Sequence, residues 1–325
     1  MSKKPYYIVI GLILVAILVV IGVFNIRTNA EKTSIKAELI VKSNAAGFEF
    51  WELVKKGALE GAKEQNVELT ISGPQTEEDV DGQIRLLLEA IERKPDVIIL
   101  APVDQQKLYP YAQKIIDNDI KLVFVDSSVN TQIGSCFVGT DNFAGAQAVA
   151  EYMAQSLHKK GEIAVIAHQM SASTSIARID GFENIMRKYP EITIIGVYDI
   201  GDSVQKSYQQ TMQILKENPK LDGIYATNQI SAEGVSQALM ETGRYHDVQF
   251  FSFDSSTVQN FALEKGVVKG FMVQMPFNMG YMSIEAAVAA HKNKVGEYFI
   301  NTGFTYVTKE TMREEEVQKL IYPFV

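Results

Sequence analysis

Polar and aromatic residues recur immediately after apolar, strand-like runs. Lys42 and the aromatics Phe48, Phe50 and Trp51 follow "AELIV", and Asp126, Ser127 and Ser128 follow "KLVFV". "SASTSIAR", which ends on Arg178, follows "EIAVIA"; Asn228 follows "GIYAT". Asp254 and Ser255 come after "FFSF", and Gln274 closes "GFMVQ". Pro102 and Asp104 after "VIILA", and Asp202 after "VYDIG", hold the same kind of position. Carboxylates and amides bond pairs of vicinal hydroxyls, while an aromatic face stacks on the C–H face of a pyranose. Gathered on one edge, with a guanidinium added, these residues suit a polyhydroxylated ligand. Trp51 is the sole tryptophan in 325 residues.

The same residues do not assemble into a known catalytic constellation. There is no G-x-x-x-x-G-K-[ST], no G-x-G-x-x-G after the first strand, no H-E-x-x-H and no G-x-S-x-G elbow. His158, His168, His246 and His291 are scattered and read as solvated or structural rather than as metal ligands. The serine-rich "SASTS" reads as a loop capping the helix that contains Arg178. Asp104, Asp126 and Asp254 serve hydroxyl binding as well as they would serve acid–base work. The expectation is a protein without enzymatic activity, metal or cofactor.

Elements that alternate along the chain must place these residues. Apolar runs at 37–42, 67–72, 96–101, 121–126, 162–167, 192–198, 222–226, 248–253 and 268–274 are continuous rather than alternating. That is the pattern of strands buried on both faces. Amphipathic segments lie between them, such as 79–93 with Ile84, Leu87, Leu88 and Ile91 at helical spacing. Strand–helix alternation predicts parallel sheets with helices on both faces, an α/β fold. Nine strands make a wide single sheet, so two doubly wound lobes are expected, with the passage between them near 137–153. In such sheets ligands sit beyond the carboxyl ends of the strands, where the polar residues fall.

The net charge is −8, and residues 1–36 carry five basic residues against Glu31, so the remainder bears −12. An acidic body of this kind repels nucleic acid. Cys136, the only cysteine, excludes an intramolecular disulfide and reads as a small buried hydrophobe. "YYIVIGLILVAILVVIGVF", Tyr6 to Phe24, is free of charge; as a helix its nineteen residues span roughly 28 Å, enough to cross a bilayer core. It exceeds the usual signal-peptide apolar region, which favours an uncleaved transmembrane helix over a cleaved leader. Residues 1–36 are thus expected to form a membrane anchor and tether, with the body on the extracytoplasmic side of the cell membrane.

"FEFWELVKKGALEGA", "KPDVIILAPVD", "GTDNFAGAQAVAEYM", "SASTSIARIDGFENI", "LDGIYATNQISAEGVSQAL", "FFSFDSS" and "VQMPFNMGY" occur in this order over roughly residues 37 to 312. In sequence and spacing they resemble the type I periplasmic sugar-binding proteins, the ribose-binding-protein-like solute receptors of ABC transporters. The resemblance implies two Rossmann-like lobes joined by a three-crossing hinge and closing on a monosaccharide. The first lobe would be 37–140 plus 275–304, and the second 141–274 plus 305–325. Phe50 and Trp51 match the family's sugar-stacking pair, Asp126 its hydroxyl-binding aspartate and Arg178 its sugar-oxygen donor. Asn228, Asp254 and Gln274 match ligands of the second lobe and hinge. The chain departs from the ribose pattern at Ala101 and Ser127, and in the lengthened first loop carrying Lys42 and Phe48. Ribose itself is therefore not the expected ligand, and another pentose or a hexose is open.

The implied partners are a monosaccharide, the membrane, and either an ABC permease or a sensor histidine kinase, with no nucleic acid. A LacI-type regulator shares the core, but a membrane span stands here where a helix-turn-helix would be. A carbohydrate-active enzyme lacks its constellation.

Overall fold

A computed structural model describes residues 34–46 and 48–323. The expected transmembrane helix falls on residues outside this range. Among the described residues no helix is long and apolar enough to cross a membrane.

The strands form two six-stranded sheets. The first comprises β1 (Ile35–Ile40), β2 (Val67–Ser72), β3 (Val97–Leu100), β4 (Lys121–Val125), β5 (Cys136–Gly139) and β11 (Phe299–Asn301), in the order β11-β5-β4-β3-β1-β2. The second comprises β6 (Lys160–Ala167), β7 (Glu191–Asp199), β8 (Gly223–Ala226), β9 (Gln249–Phe253), β10 (Val268–Gln274) and β12 (Phe304–Thr308), in the order β12-β10-β9-β8-β6-β7. β1, β3, β4, β5 and β11 pair in parallel, as do β6 to β10; β12 runs antiparallel to β10. The nine expected strands are present with ends shifted by at most two residues. Two short strands, β11 and β12, were not among them, because neither carries a buried apolar run.

Apolar runs become central strands because helices cover both faces. Every residue of Val97–Leu100 is buried, as is every residue of Gly223–Ala226. The helices are α1 (Glu49–Gln65), α2 (Val80–Arg93), α3 (Tyr109–Asp117), α4 (Asn142–Ser156), α5 (Ser173–Met186) and α6 (Val204–Glu217). They continue with α7 (Gln229–Thr242), α8 (Thr257–Lys265), α9 (Pro276–His291) and α10 (Glu315–Ile321). Ile40, Leu100, Phe124, Leu87 and Ile115 meet in one core; Ile166, Phe250, Phe271, Val235 and Leu263 meet in another. Burial alone raises the Cys136 thiol to about 11, so it acts as the small hydrophobe its surroundings in sequence suggest.

The chain passes between the sheets three times, from β5 into α4, from β10 into α9, and between β11 and β12. α9 returns onto the first sheet's side and packs directly on α1. A Cβ at Gly57 would lie 2.0 Å from the Phe277 carbonyl oxygen, and one at Gly280 would lie 1.9 Å from that of Val54. The two glycines let the helix backbones touch. This contact fixes α1, and with it Phe50 and Trp51, relative to Gln274 at the end of β10.

Candidate functional site

Equivalent turns follow β4 and β9. Asp126 and Asp254 both adopt left-handed backbone, φ 62° and 68°, a conformation uncommon outside glycine but tolerated by aspartate. The Asp126 N–H donates to Val138 O at 2.9 Å and the Asp254 N–H to Met272 O at 2.7 Å, so each turn is pinned to the neighbouring strand. Each carboxylate meets a buried cation of its own lobe. Lys42 Nζ lies 2.8 Å from Asp126 Oδ2, and Arg178 Nη1 lies 3.5 Å from Asp254 Oδ2.

These pairs face each other in a cavity of about 290 Å³, whose lining includes Lys42, Phe48, Phe50, Trp51, Asp126, Arg178, Asn228, Asp254 and Gln274. Lys42 Nζ also reaches Thr174 Oγ1 across the cleft at 3.5 Å. Arg178 is held from several sides: Nε donates to Asn142 Oδ1 at 2.8 Å, Nη1 to Thr227 O at 2.7 Å, and the guanidinium lies 4.0 Å over the Phe253 ring. Gln274 Nε2 donates to Asp254 Oδ1 at 2.6 Å, which leaves Gln274 Oε1 as a buried acceptor without a protein partner. Asn228 caps α7, its side chain accepting from the Ser231 N–H at 2.9 Å.

Trp51 is 1% exposed and stands edge-on to Phe50, with ring centroids 5.1 Å apart and planes at 86°. Phe48 occupies the position just before α1 and is half-buried beside the same cavity. Ser127 departs from the expected set. Its hydroxyl is buried and donates to Pro102 O at 3.1 Å, so it braces the β3 exit instead of lining the cavity. Asp104 likewise turns away, accepting from the N–H groups of Gln106 and Lys107.

The cavity also contains residues absent from the expected set: Glu77, His168 and Thr174. His168 follows β6 directly, a strand-exit position that the alternation marks. Its Nδ1 is 2.8 Å from Thr227 Oγ1 and its Nε2 3.4 Å from Thr174 Oγ1. Burial, with Arg178 and Lys42 nearby, holds its pKa well below the ordinary value, so the ring is neutral. Glu77 sits between β2 and α2 in "QTEED", where an acidic run gives no sign of burial. Its carboxyl accepts from Trp51 Nε1 at 2.8 Å, and burial pushes its pKa up to about 7 against the pull of Lys42.

The lobes touch around this cavity. The Gln105 N–H donates to Ser171 O at 3.1 Å, the Ser128 N–H to Ser173 Oγ at 3.1 Å, and the Thr257 hydroxyl to Glu49 Oε1 at 3.0 Å. The result is a polar chamber with two compensated ion pairs, spare amide and carboxylate acceptors, and aromatic walls. Such a chamber offers hydrogen bonds and stacking to a small, neutral, hydroxyl-rich molecule. Among the described residues no group of three or more His, Cys, Asp or Glu side chains is arranged to hold a metal ion.

Residues 39–294 match the family model described as periplasmic binding protein domain. The D-ribose/D-allose-binding protein of Pseudomonas aeruginosa is 28% identical over 258 residues, covering 77% of this chain and 80% of that protein. The D-apiose import binding protein of Actinobacillus succinogenes is 27% identical over 254 residues, covering 77% and 79%. Among solved structures, a carbohydrate transporter solute binding protein from Agrobacterium radiobacter in complex with D-arabinose superposes with a TM-score of 0.85 at 27% identity. The match covers 90% of this chain and all of that one. An ABC transporter solute binding protein from Agrobacterium vitis with bound D-fucose gives 0.84 at 27% identity, covering 88% of this chain and 100% of that one. These relatives are binding proteins. The chain belongs to the periplasmic binding protein domain family.

Proposed function

We propose that this protein is an extracytoplasmic receptor that closes its two lobes on a monosaccharide, a pentose or hexose. The two facing cation–carboxylate pairs, Lys42–Asp126 and Arg178–Asp254, carry this reading. Each has its charge compensated within the protein, so the cavity is matched to a neutral polar ligand and not to an ion. Phe48, Phe50 and Trp51 supply apolar walls, while Asn228 and Gln274 supply amides. The proposed lobes are 37–140 plus 275–304 and 141–274 plus 305–325, a division that the sheet membership supports. The names of the relatives, which bind ribose, allose, apiose, arabinose or fucose, point to the same ligand class.

The apolar segment from Tyr6 to Phe24 anchors the receptor in the cell membrane by a single span. The partner is a membrane protein, either an ABC permease that takes up the sugar or a sensor histidine kinase that reads the closed lobes. A stationary anchor suits the second. Deleting the gene separates the two: lost induction with unchanged labelled-sugar uptake assigns sensing, and lost uptake assigns transport.

The ligand reading is tested by thermal shift of the full chain in detergent against neutral pentoses, hexoses and polyols at millimolar concentration. A ligand that binds only the folded state raises the melting temperature, by about 2.7 kcal/mol of stabilisation at one hundred times its Kd. At least one sugar is expected to do so. A melting temperature unmoved by every member of the panel would contradict the reading.

A further inference from the structure

The Trp51 indole is tethered across the cleft. Its Nε1 donates to Glu77 Oε1 at 2.8 Å, and the Glu77 backbone N–H donates in turn to Asp202 Oδ2 at 3.0 Å. Glu77 lies in the turn after β2, the edge strand of the first sheet. Asp202 lies in the turn after β7, the edge strand of the second. The link is doubled, because the Asp202 N–H donates to Glu78 Oε1 at 3.2 Å and Lys206 Nζ on α6 reaches the same oxygen at 3.2 Å. Asp202 does not cap α6; Ser203 does, accepting from the Lys206 N–H.

We infer that Glu77 and Asp202 are positioning residues that tie the Trp51 wall of the cavity to lobe closure, with Glu77 taking up one proton as the lobes come together. This deepens the sugar-binding reading and rests on it for the effect on affinity.

Three turns bring charged groups towards Glu77. Lys42 comes from the β1 exit and Asp126 from the β4 exit; Asp202 comes from the β7 exit, with Glu78 and its partner Lys206 beside it. Lys42 and Asp126 belong to the same lobe as Glu77 and stay with it whether the lobes are together or apart. Asp202 belongs to the other lobe, as do His168 and Thr174, which line the same cavity. Lobe separation thus removes the Asp202 carboxylate and much of the covering surface, the two largest influences that favour the neutral form of Glu77. Burial also raises the pKa of Asp202 itself.

The sign follows from linkage. Closed, Glu77 is held up to about 7; open, it relaxes towards its ordinary 4.5. The closed state binds the proton in between, so closure is favoured at the acid end of this window and weakened as pH rises through about 7. One linked proton limits the change in affinity to about tenfold per pH unit.

The test uses Trp51, the only tryptophan, as its own probe in the full chain in detergent. With a bound sugar holding the lobes together, emission against pH from 5 to 8.5 is expected to show one transition near neutrality, and without sugar the transition is expected to fall towards the acid end of this range or below it. Glu77→Gln, which keeps an oxygen to accept from the indole, is expected to abolish it. Asp202→Asn, a half-buried site, is expected to move the midpoint to lower pH. A flat wild-type profile, a transition that survives Glu77→Gln, or a midpoint unmoved in Asp202→Asn would overturn the inference.

In a second arm, D-ribose, D-allose, D-arabinose and D-fucose are titrated at pH 6 and pH 8. Any that binds is expected to bind more weakly at pH 8 in wild type, and with a smaller pH difference in Asp202→Asn. Equal pH dependence in both proteins would overturn the linkage. A transition near neutrality in a protein that binds none of these sugars would contradict the sugar reading while leaving the tether standing.

Discussion

Arg178→Ala is expected to destabilise the fold by roughly 3–5 kcal/mol and to abolish ligand binding, because it leaves a buried carboxylate without its cation. The guanidinium is 2% exposed and joins three structural pieces: Asn142 at the first crossing between lobes, the carbonyl of Thr227 at the β8 exit, and Asp254 at the β9 exit. Its removal frees all of them together. Asp254 would keep only the Gln274 amide at 2.6 Å and the Gln229 N–H at 3.3 Å, neither of which neutralises its charge. Arg178→Lys retains the charge but not the planar stack on Phe253 or the simultaneous bonds to Asn142 and Thr227, so it is expected to recover only part of the loss. Urea denaturation at neutral pH reads the effect directly. A loss below about 1 kcal/mol for Arg178→Ala would show that Asp254 does not depend on this cation.

Trp51→Ala is expected to cost a similar amount, about 3–5 kcal/mol, and to remove binding as well. From the sequence, Trp51 reads as a cleft residue whose loss would affect the ligand alone. In the structure its indole is both cavity wall and core, 1% exposed, set against Phe50 and bonded through Nε1 to Glu77. Truncation therefore opens a void and strands a buried carboxyl. Trp51→Phe fills most of that void but offers no N–H, and a loss well below that of alanine is expected. Equal losses for the two variants would mean that the hydrogen bond, not the volume, dominates. Urea midpoints for both variants decide between these outcomes.

The strands were legible because parallel strands covered on both faces must be apolar throughout, as in "VIIL" and "GIYA". From those strands followed the carboxyl-terminal edge, and with it Lys42, Asp126, Arg178, Asn228, Asp254 and Gln274, which the fold brings to one cavity. β11 and β12 escaped notice because their strand character comes from the neighbours they pair with: Phe299–Asn301 is largely exposed, and Phe304–Thr308 is an antiparallel addition to β10. Ser127 was misplaced because a strand exit specifies where the backbone leaves the sheet, not which way a small side chain turns; its hydroxyl turned to Pro102. Glu77 was passed over because an acidic run normally faces water. Only the fold shows that one of its members is enclosed by Trp51, Lys42 and the opposite lobe.

The paired geometry makes the two lobes chemically equivalent partners: each contributes one aspartate in left-handed backbone and one buried cation. Neither aspartate can serve a ligand fully while the lobes are apart, since each lines only one side of the cavity. On the proposed function, binding and closure are a single event, and closure is what a membrane partner would read.

Isothermal titration calorimetry of the full chain with neutral aldoses and polyols tests the central claim most directly, comparing wild type with Asp254→Asn and Asp126→Asn. One-to-one binding of at least one sugar is expected in wild type, with affinity lost or reduced at least tenfold in each variant, the weight of about 1.4 kcal/mol carried by a charge-assisted hydrogen bond. Absence of binding by every sugar, or binding that survives unchanged in both variants, would contradict it.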